Sequence, residues 1–151
     1  MLRTLIISTT VIALSATSGF AGDLLKKTSP HSVSETMDRL EAAVNGAGAT
    51  VFARVDHTAG AKKVDLELRP TQLLIFGNPK LGTPAMQDGQ TAGLDLPLRV
   101  LVYADEKGVV HVAYHAPAGL AATHDLPSDA KYLQMMTGAL DKLTGKAVAA
   151  D

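Results

Sequence analysis

The chain has 151 residues, no cysteine and no tryptophan, and its 14 basic and 15 acidic side chains leave a formal charge of −1 at pH 7. Without cysteine, thiolate catalysis, thiolate metal sites and covalent haem attachment are excluded. A near-neutral chain with three Tyr and three Phe lacks both the basic surface and the aromatic stacking platform that nucleic-acid binding uses. We therefore expect no nucleic-acid partner.

The first 21 residues have the pattern of a secretory signal peptide. Arg3 precedes an apolar run from residue 5 to about residue 16, and Gly19 and Ala21 are the small residues before the expected cleavage site. The run is shorter than the roughly 20 apolar residues that a membrane-spanning helix needs, so an uncleaved anchor is the less favoured alternative. We expect cleavage after Ala21, a periplasmic or secreted protein, and no stable membrane insertion afterwards.

The first part of the remaining chain predicts a strand and a helix. Residues 24–28 favour a short strand that Pro30 ends. Ser32 and Glu35 have the spacing of a capping box, and apolar residues then repeat at helical intervals. The sequence therefore predicts a helix over residues 33–45.

The middle of the chain predicts mainly strands. Residues 50–57 alternate as a strand does, residues 58–64 are small and polar and favour a helical turn, and residues 65–68 alternate only briefly. The continuous apolar run within residues 71–77 is typical of a buried central strand.

The last third predicts a short helix, a β-hairpin, a loop and a final helix. The expected bounds are 83–90 for the short helix, 98–104 and 109–115 for the hairpin strands, 116–126 for the loop, and a final helix after the cap at 127–129 that ends at Gly145. Residues 146–151 are expected to form a frayed tail. Strands linked by hairpins, with helices at both ends, predict one α+β domain over residues 22–145, an antiparallel sheet with helices packed on one face (β-α-β(4)-α-like).

Three segments resemble a known family. These segments are residues 51–57, 70–84 and 93–98, and the most specific feature is Phe-Gly-Asn-Pro-Lys at 76–80 followed by Gly-Thr-Pro at 82–84. The chain resembles the DUF302 family, a bacterial and archaeal domain family of unknown function, over roughly residues 32–115.

The resemblance implies a fold similar to that of the TATA-binding protein, an antiparallel sheet with flanking helices, and a tendency to form homodimers. It implies nothing about DNA, because a fold does not carry a function. The chain departs from the family pattern at Ala85, where the family has a bulkier apolar residue before the methionine. The smaller side chain leaves room for a larger pocket.

The stretch from His57 to Pro97 is the expected site, because Gly- and Pro-rich loops between buried strands fix a defined backbone path. We expect a ligand pocket to be lined by His57, Asn78, Lys80, Thr83, Met86 and Asp95. Each has a structural alternative: His57 could be a strand-end histidine bonded to a loop, Asp95 could cap a turn, and the loop at 78–84 could shape a turn at a dimer contact.

Metal or haem binding is a weaker hypothesis, and we expect no metal. His111 and His115 share a strand face, but their Cα atoms would be about 13 Å apart, so they cannot chelate one ion together. His124 could join either of them. Copper or zinc bound by histidines, or haem bound by a histidine and Met86, stays the alternative; no cofactor is indicated by the sequence.

Three functions are compatible with these features. The preferred one is a small-ligand-binding or accessory module that acts as a homodimer. The second is a hydrolase or isomerase in which His57 is the general base and Asp95 orients it, which requires the two side chains to lie within hydrogen-bond reach. The third is a protein-interaction module, which predicts an exposed apolar patch and no pocket.

Overall fold

A computed structural model describes residues 24–150, and the predicted signal peptide at residues 1–21 lies outside them. Five strands form one sheet: β1 (Leu24–Ser29), β2 (Thr50–Asp56), β3 (Thr71–Gly77), β4 (Leu98–Ala104) and β5 (Val110–His115). Their order is β1-β5-β4-β3-β2, and every neighbouring pair is antiparallel. The predicted α+β fold is confirmed.

Helices of very different length accompany the sheet. They are α1 (Val33–Gly46), α2 (His57–Lys62), α3 (Pro79–Asp88), α4 (Ala118–His124) and α5 (Lys131–Ala147), with a 3₁₀ helix at Gln90–Leu94. The long helices α1 and α5 pack against each other and against the same face of the sheet. Within residues 24–150, no helix combines the length and the apolar content that crossing a membrane requires.

Helix α1 forms where its cap and its apolar repeat predict it. The Oγ of Ser32 accepts a hydrogen bond from the backbone N–H of Glu35 at 3.2 Å, which satisfies one of the free amides at the helix start. Met37, Leu40 and Val44 lie on one side of the helix and are fully buried. Capping and one-sided burial together hold the helix on the sheet.

The apolar residues between the sheet and helices α1 and α5 form the main core. Alternate residues of the strands point to these helices, because successive side chains of a strand face opposite sides. The buried strand residues are Leu74, Phe76, Val100, Val102, Val112 and Tyr114, and they meet Met37 and Leu40 of α1 and Leu140 and Leu143 of α5.

A second, smaller apolar group lies beside the main core, and we call it the side cluster. It joins α3, the 3₁₀ helix, the segment after α4 and the first half of α5, and its buried members are Ala85, Ala92, Leu126, Tyr132, Leu133 and Met136. The hydroxyl of Tyr132 donates a hydrogen bond to Oδ2 of Asp88 at 2.8 Å. Burial, together with this bond to a carboxylate, raises the pKa of Tyr132 to about 12.

Helix α3 begins earlier than the sequence suggested. The predicted start was Thr83, but the helix begins at Pro79, because Oδ1 of Asn78 accepts the backbone N–H of Lys80 at 3.0 Å and caps it. Pro79 suits the first helical position, where no N–H is needed. Pro84 then lies inside the helix, where it leaves one helical hydrogen bond unmade.

One segment with weak local signals also differs from the prediction, since residues 116–126, expected as a loop, contain α4. Residues 65–68, which alternate only briefly before Arg69 and Pro70, form no strand. The backbone of Asp65 has a φ of 57°, and this left-handed conformation interrupts the extended path that a strand would need.

The end of the chain is packed more closely than predicted. Helix α5 continues past Gly145 to Ala147, which is fully buried, and Val148 packs against the main core. The carbonyl of Ala149 accepts hydrogen bonds at 2.8 Å from Nε2 of His31 and from Arg39. Residues 147–149 are therefore tied to the main core, to the β1–α1 connection and to α1 rather than frayed.

Candidate functional site

The loop that follows β3 packs tightly against the start of β4. A Cβ atom on Gly77 would lie 3.3 Å from Cβ of Pro97, which is closer than most Cβ contacts, so a side chain at position 77 would push the two segments apart. The peptide bond between Leu96 and Pro97 is cis. The two segments that carry the family resemblance here are thus in direct contact.

A cavity of about 280 Å³ lies next to this contact, and we call it the apolar cavity. Its walls come from the end of β3, helix α3, the start of β4 and helix α5. They are formed mainly by apolar side chains: Phe52, Pro79, Leu81, Met86, Leu96, Pro97, Leu98 and Met136, with Gly77, Asn78, Gly82 and Thr83. Three residues that the sequence analysis placed in a pocket, Asn78, Thr83 and Met86, line this cavity. Lys80 is exposed and is not among the lining residues.

A second cavity of about 210 Å³ lies on the other side of Leu98, and we call it the polar cavity. Its polar lining residues are Asp95, Arg99, His115 and Thr123. Leu140 of α5 forms part of the opposite wall. Asp95 was predicted to line a pocket together with Asn78 and Met86, but the structure places it in this neighbouring cavity.

Asp95 accepts hydrogen bonds from two basic side chains. Its Oδ2 lies 2.8 Å from Nε2 of His124, and its Oδ1 lies 2.7 Å from Nη2 of Arg99. The hydrogen bond from His124, with the positive charge of Arg99, holds the pKa of Asp95 below its ordinary value against the opposing effect of burial. Asp95 is therefore an ionised acceptor at neutral pH.

His124 is fixed on both sides of its ring. Nδ1 lies 3.1 Å from Oγ1 of Thr91, and the side chain is only 4% exposed. Because Nε2 donates to an ionised carboxylate, a neutral ring accepts the Thr91 hydroxyl at Nδ1. Both ring nitrogens are engaged, and His124 links Thr91 to Asp95 and holds the Asp95 carboxylate in position.

His57 lies far from this network. It is exposed and begins α2, directly after Asp56, whose carboxylate caps that helix by accepting the N–H of Ala59 at 2.9 Å. Asp56 pairs with Gln72 at one end of β3, and Phe76 pairs with Leu98 at the other, a separation of about 13 Å along the strand. The His57–Asp95 pair that the enzyme hypothesis requires does not form.

The partner of Asp95 was missed because the signal is not local. His124 is 29 residues away in sequence and was placed in a loop without regular structure. A buried histidine in a short helix has no distinctive spacing relative to an aspartate in another segment. Asp95 does have a histidine partner, but this partner is His124 and not the predicted His57.

The two histidines of β5 lie in different environments. Nε2 of His111 lies 2.8 Å from Oδ2 of Asp105, and its ring centroid lies 5.3 Å from that of Tyr103. The hydrogen bond from His111 lowers the pKa of Asp105. His115 lies at the other end of the strand, at the polar cavity.

Across residues 24–150, no three His, Asp or Glu side chains converge in a way that could hold a metal ion.

Comparison with known proteins establishes the family. The family model described as "Domain of unknown function DUF302" matches residues 25–143, and the chain belongs to this family. A crystal structure of an uncharacterised conserved DUF302 protein from Bacillus stearothermophilus superimposes with a TM-score of 0.74. The two chains are 18% identical, and the match covers 82% of this chain and 97% of the other, which shows a shared fold.

Longer relatives occur in Brucella. Proteins of Brucella suis and Brucella abortus named "Fluoride-specific ion channel FluC 1", and one of Brucella melitensis named "Fluoride-specific ion channel FluC 2", are each 50% identical to this chain over 112 residues. The match covers 73% of this chain and 44%, 42% and 42% of these relatives. The chain thus spans less than half the length of the curated relatives it matches.

Proposed function

We propose that this DUF302 protein is a small-ligand-binding or accessory module that holds an apolar group in the apolar cavity. One observation carries this proposal: the residues that bear the family resemblance, at 77–84 and 96–98, form much of the wall of that cavity. A segment that only reversed the direction of the chain would not need to enclose a space. The concave, mainly apolar wall with few polar groups is the usual character of a small-molecule site.

Two side chains suit this cavity to a flexible apolar ligand. Met86 and Met136 lie on different helices and both line the wall, and methionine adapts its shape to irregular partners. A buried methylene contributes about 0.8 kcal/mol, so about six of them contribute roughly 5 kcal/mol, which corresponds to a dissociation constant in the high micromolar to millimolar range.

A cavity-filling variant tests the proposal. A Cβ on Gly82 would lie 3.9 Å from Leu96 and 4.0 Å from Met86, so Gly82→Leu fits the backbone and extends into the space where a ligand would lie. Gly138→Leu is the matched control, because nothing lies within 4 Å of its Cβ position on α5. Isothermal titration calorimetry with 1-octanol is expected to show binding to the wild type and to Gly138→Leu, and at least tenfold weaker binding to Gly82→Leu. Equal affinities in all three proteins would overturn the assignment of the cavity.

We propose further that the module acts as a homodimer through the uncovered face of the sheet. The side chains that alternate away from α1 and α5 are largely apolar and only half-buried: Val55, Leu73, Ile75, Leu101 and Tyr103. A face of this kind is suited to covering by a second copy, as the DUF302 resemblance implies.

Sedimentation equilibrium tests the dimer, and the Leu101→Glu variant is expected to be monomeric. Met135→Glu, on an exposed position of α5, should stay dimeric, and a monomeric wild type would contradict the dimer.

Export is also part of the proposal. The basic start, short apolar run and small residues at 19 and 21 support cleavage after Ala21 and a role in the periplasm or outside the cell. The intact mass of protein recovered from the periplasmic fraction of an expressing bacterium tests this. A mass that begins at Gly22 is the expected result, and full-length protein retained in the cytoplasm is the contrary one.

A second candidate function is suggested by the Brucella relatives. Those proteins carry the name of a fluoride channel, and the region similar to this chain occupies less than half of each. The matched region is therefore joined, in one polypeptide, to a longer segment outside the match. We propose as the alternative that this chain is an accessory module of a membrane ion channel. Fluoride efflux from liposomes containing such a channel should change when the purified chain is added, and an unchanged efflux rate contradicts this role.

A further inference from the structure

The apolar and polar cavities are neighbours that share one wall residue. Leu98 lines both. On the opposite wall, Met136 lines the apolar cavity and Leu140 the polar cavity, and these two residues lie one helical turn apart on α5. The polar group Asp95 and the apolar Leu96 are adjacent in the chain and line the two cavities separately. The side chain of Leu98 thus lines both cavities and lies between them.

The size of the cavities supports a shared occupant. At about 280 Å³ and about 210 Å³, each lies below the range of roughly 300 to 1,000 Å³ that is usual for small-molecule sites, and the two together lie inside it. One half is lined mainly by carbon and the other half holds charged groups. A ligand that fills both must itself have an apolar part and a polar part.

Arg99 determines the chemistry of the polar part. It lies in β4 opposite Ile75 of β3, and the register that pairs Leu101 with Ala113 places His115 beside it on β5. One Nη2 hydrogen bond of Arg99 goes to Asp95, whereas a guanidinium carries five N–H donors. Asp95 also accepts a hydrogen bond from His124, so both of its carboxylate oxygens already have a partner. The remaining donors of Arg99, at the wall of the cavity, suit a second planar acceptor.

From this juxtaposition we propose that the ligand is an amphipathic monocarboxylate. Its carboxylate binds Arg99 in the polar cavity, and its hydrocarbon part passes Leu98 into the apolar cavity. A guanidinium recognises a carboxylate through paired, charge-assisted hydrogen bonds, and neither cavity alone offers both the charge and the apolar wall. This inference rests on the proposed function and specifies the class of ligand that it takes.

The experiment compares two probes with the same hydrocarbon tail. Isothermal titration calorimetry is carried out with octanoate and with 1-octanol on the wild type, on Arg99→Met and on Arg69→Met. Arg69 is the control, because it is an exposed arginine whose Nε donates to the carbonyl of Ala104 at the other end of β4. We expect octanoate to bind the wild type and Arg69→Met about tenfold more tightly than 1-octanol. We expect Arg99→Met to lose that preference and to keep its affinity for 1-octanol.

A measurement on the unchanged protein covers the case in which Arg99→Met is poorly folded. In the wild type, a rise in NaCl concentration should reduce the octanoate preference towards one, because salt screens an exposed ion pair, and should leave 1-octanol binding unaffected or slightly stronger.

The possible failures are distinguishable. If 1-octanol binds and Gly82→Leu abolishes its binding, but octanoate is no tighter or keeps its preference in Arg99→Met, the carboxylate inference is overturned and the apolar site stands. If neither probe binds the wild type, the inference and the proposed apolar site fail together.

Discussion

The main core and the side cluster of this protein are built in different ways. The main core joins a five-stranded sheet to two long helices through fully buried large side chains such as Leu74, Phe76 and Leu140. The side cluster is smaller, two of its six buried members are alanines, and it borders the apolar cavity through Met136. Side-chain hydrogen bonds between distant segments, Tyr132 to Asp88 and His124 to Asp95, connect its elements.

This difference explains why the cavities lie where they do. Dense apolar packing leaves no room for a ligand and tolerates little change in volume. A region held partly by polar contacts between short helices can leave space and can adjust to a ligand. The following variants test whether the main core is rigid and apolar while the side cluster depends on close backbone fit and on polar contacts.

The largest expected loss of stability comes from the main core. Leu74→Ala removes a fully buried side chain at the centre of β3 and should reduce the free energy of unfolding by about 3 kcal/mol, from lost burial and the cavity left behind. Urea denaturation measures this. Leu94→Ala is the control, since Leu94 is 80% exposed and its removal should cost less than about 0.5 kcal/mol. Similar losses in both variants would contradict the described burial.

In the side cluster, adding one methyl group should be nearly as harmful as truncating Leu74 to alanine is in the main core. A Cβ on Gly89 would lie 2.6 Å from Leu126 and 2.7 Å from the carbonyl oxygen of His124, so Gly89→Ala must displace backbone. We expect a loss of about 1–3 kcal/mol, with little change in the burial of the main core. Gly46→Ala, where nothing lies within 4 Å, should be neutral or stabilising by up to about 1 kcal/mol. Thermal unfolding of the two variants gives the comparison.

The polar contacts of the side cluster should show a dependence on pH. Asp95 has a lowered pKa in the folded protein, so its contribution is present above the ordinary aspartate pKa of about 3.9 and is lost as the pH falls through the lower folded value. Asp95→Asn should cost about 1 kcal/mol at neutral pH, because the site is partly exposed. The difference between wild type and variant should shrink towards pH ~3. Urea denaturation at several pH values, with Asp129→Asn as control, tests this, and a difference that does not change with pH contradicts it.

The smallest loss of stability is expected from removing an exposed ion pair that links β1 to α5. Nζ of Lys27 donates to the backbone carbonyl and to Oδ1 of Asp141 at 2.8 and 2.7 Å, and links β1 to α5. Asp141 is 74% exposed, so water and salt weaken the pair. Lys27→Ala should cost less than about 1 kcal/mol in a denaturation experiment. A loss comparable to that of Leu74→Ala would show that the main core also relies on polar contacts.

The contrast between the main core and the side cluster also explains which parts of the structure the sequence could predict. Helix α1 and strand β3 belong to the main core, and their caps and apolar repeats are local, so the chain itself indicates them. Helix α4 lies at the side cluster, whose contacts join segments far apart in sequence. The early start of α3 depends on a local cap, the bond from Lys80 to Asn78, but the Asn78-Pro79 pair also suits a turn and was interpreted as one. Asp88 and Tyr132 are separated by 44 residues, and Asp95 and His124 by 29. A spacing rule along the chain has no access to such pairs.

The candidate site was predictable to the extent that one continuous segment, from Gly77 to Met86, lines it. Asn78, Thr83 and Met86 follow β3 directly and line the apolar cavity together. His57 is titratable and follows a strand, which favours a site there, but the sheet register places it at the other end of β3. Arg99 was not selected, because a lone arginine on a strand resembles an ordinary solvated side chain until the register brings it beside His115 and Asp95.

The methyl groups of the methionines provide the most direct test of ligand binding in the apolar cavity. Met86 and Met136 line it, Met37 is fully buried in the main core, and Met135 is 59% exposed on α5. In protein labelled with ¹³C at the methionine methyl groups, titration with 1-octanol should shift the NMR signals of Met86 and Met136 progressively and leave those of Met37 and Met135 in place. Shifts confined to Met135, or equal small shifts in all four, would contradict an apolar ligand site at this position.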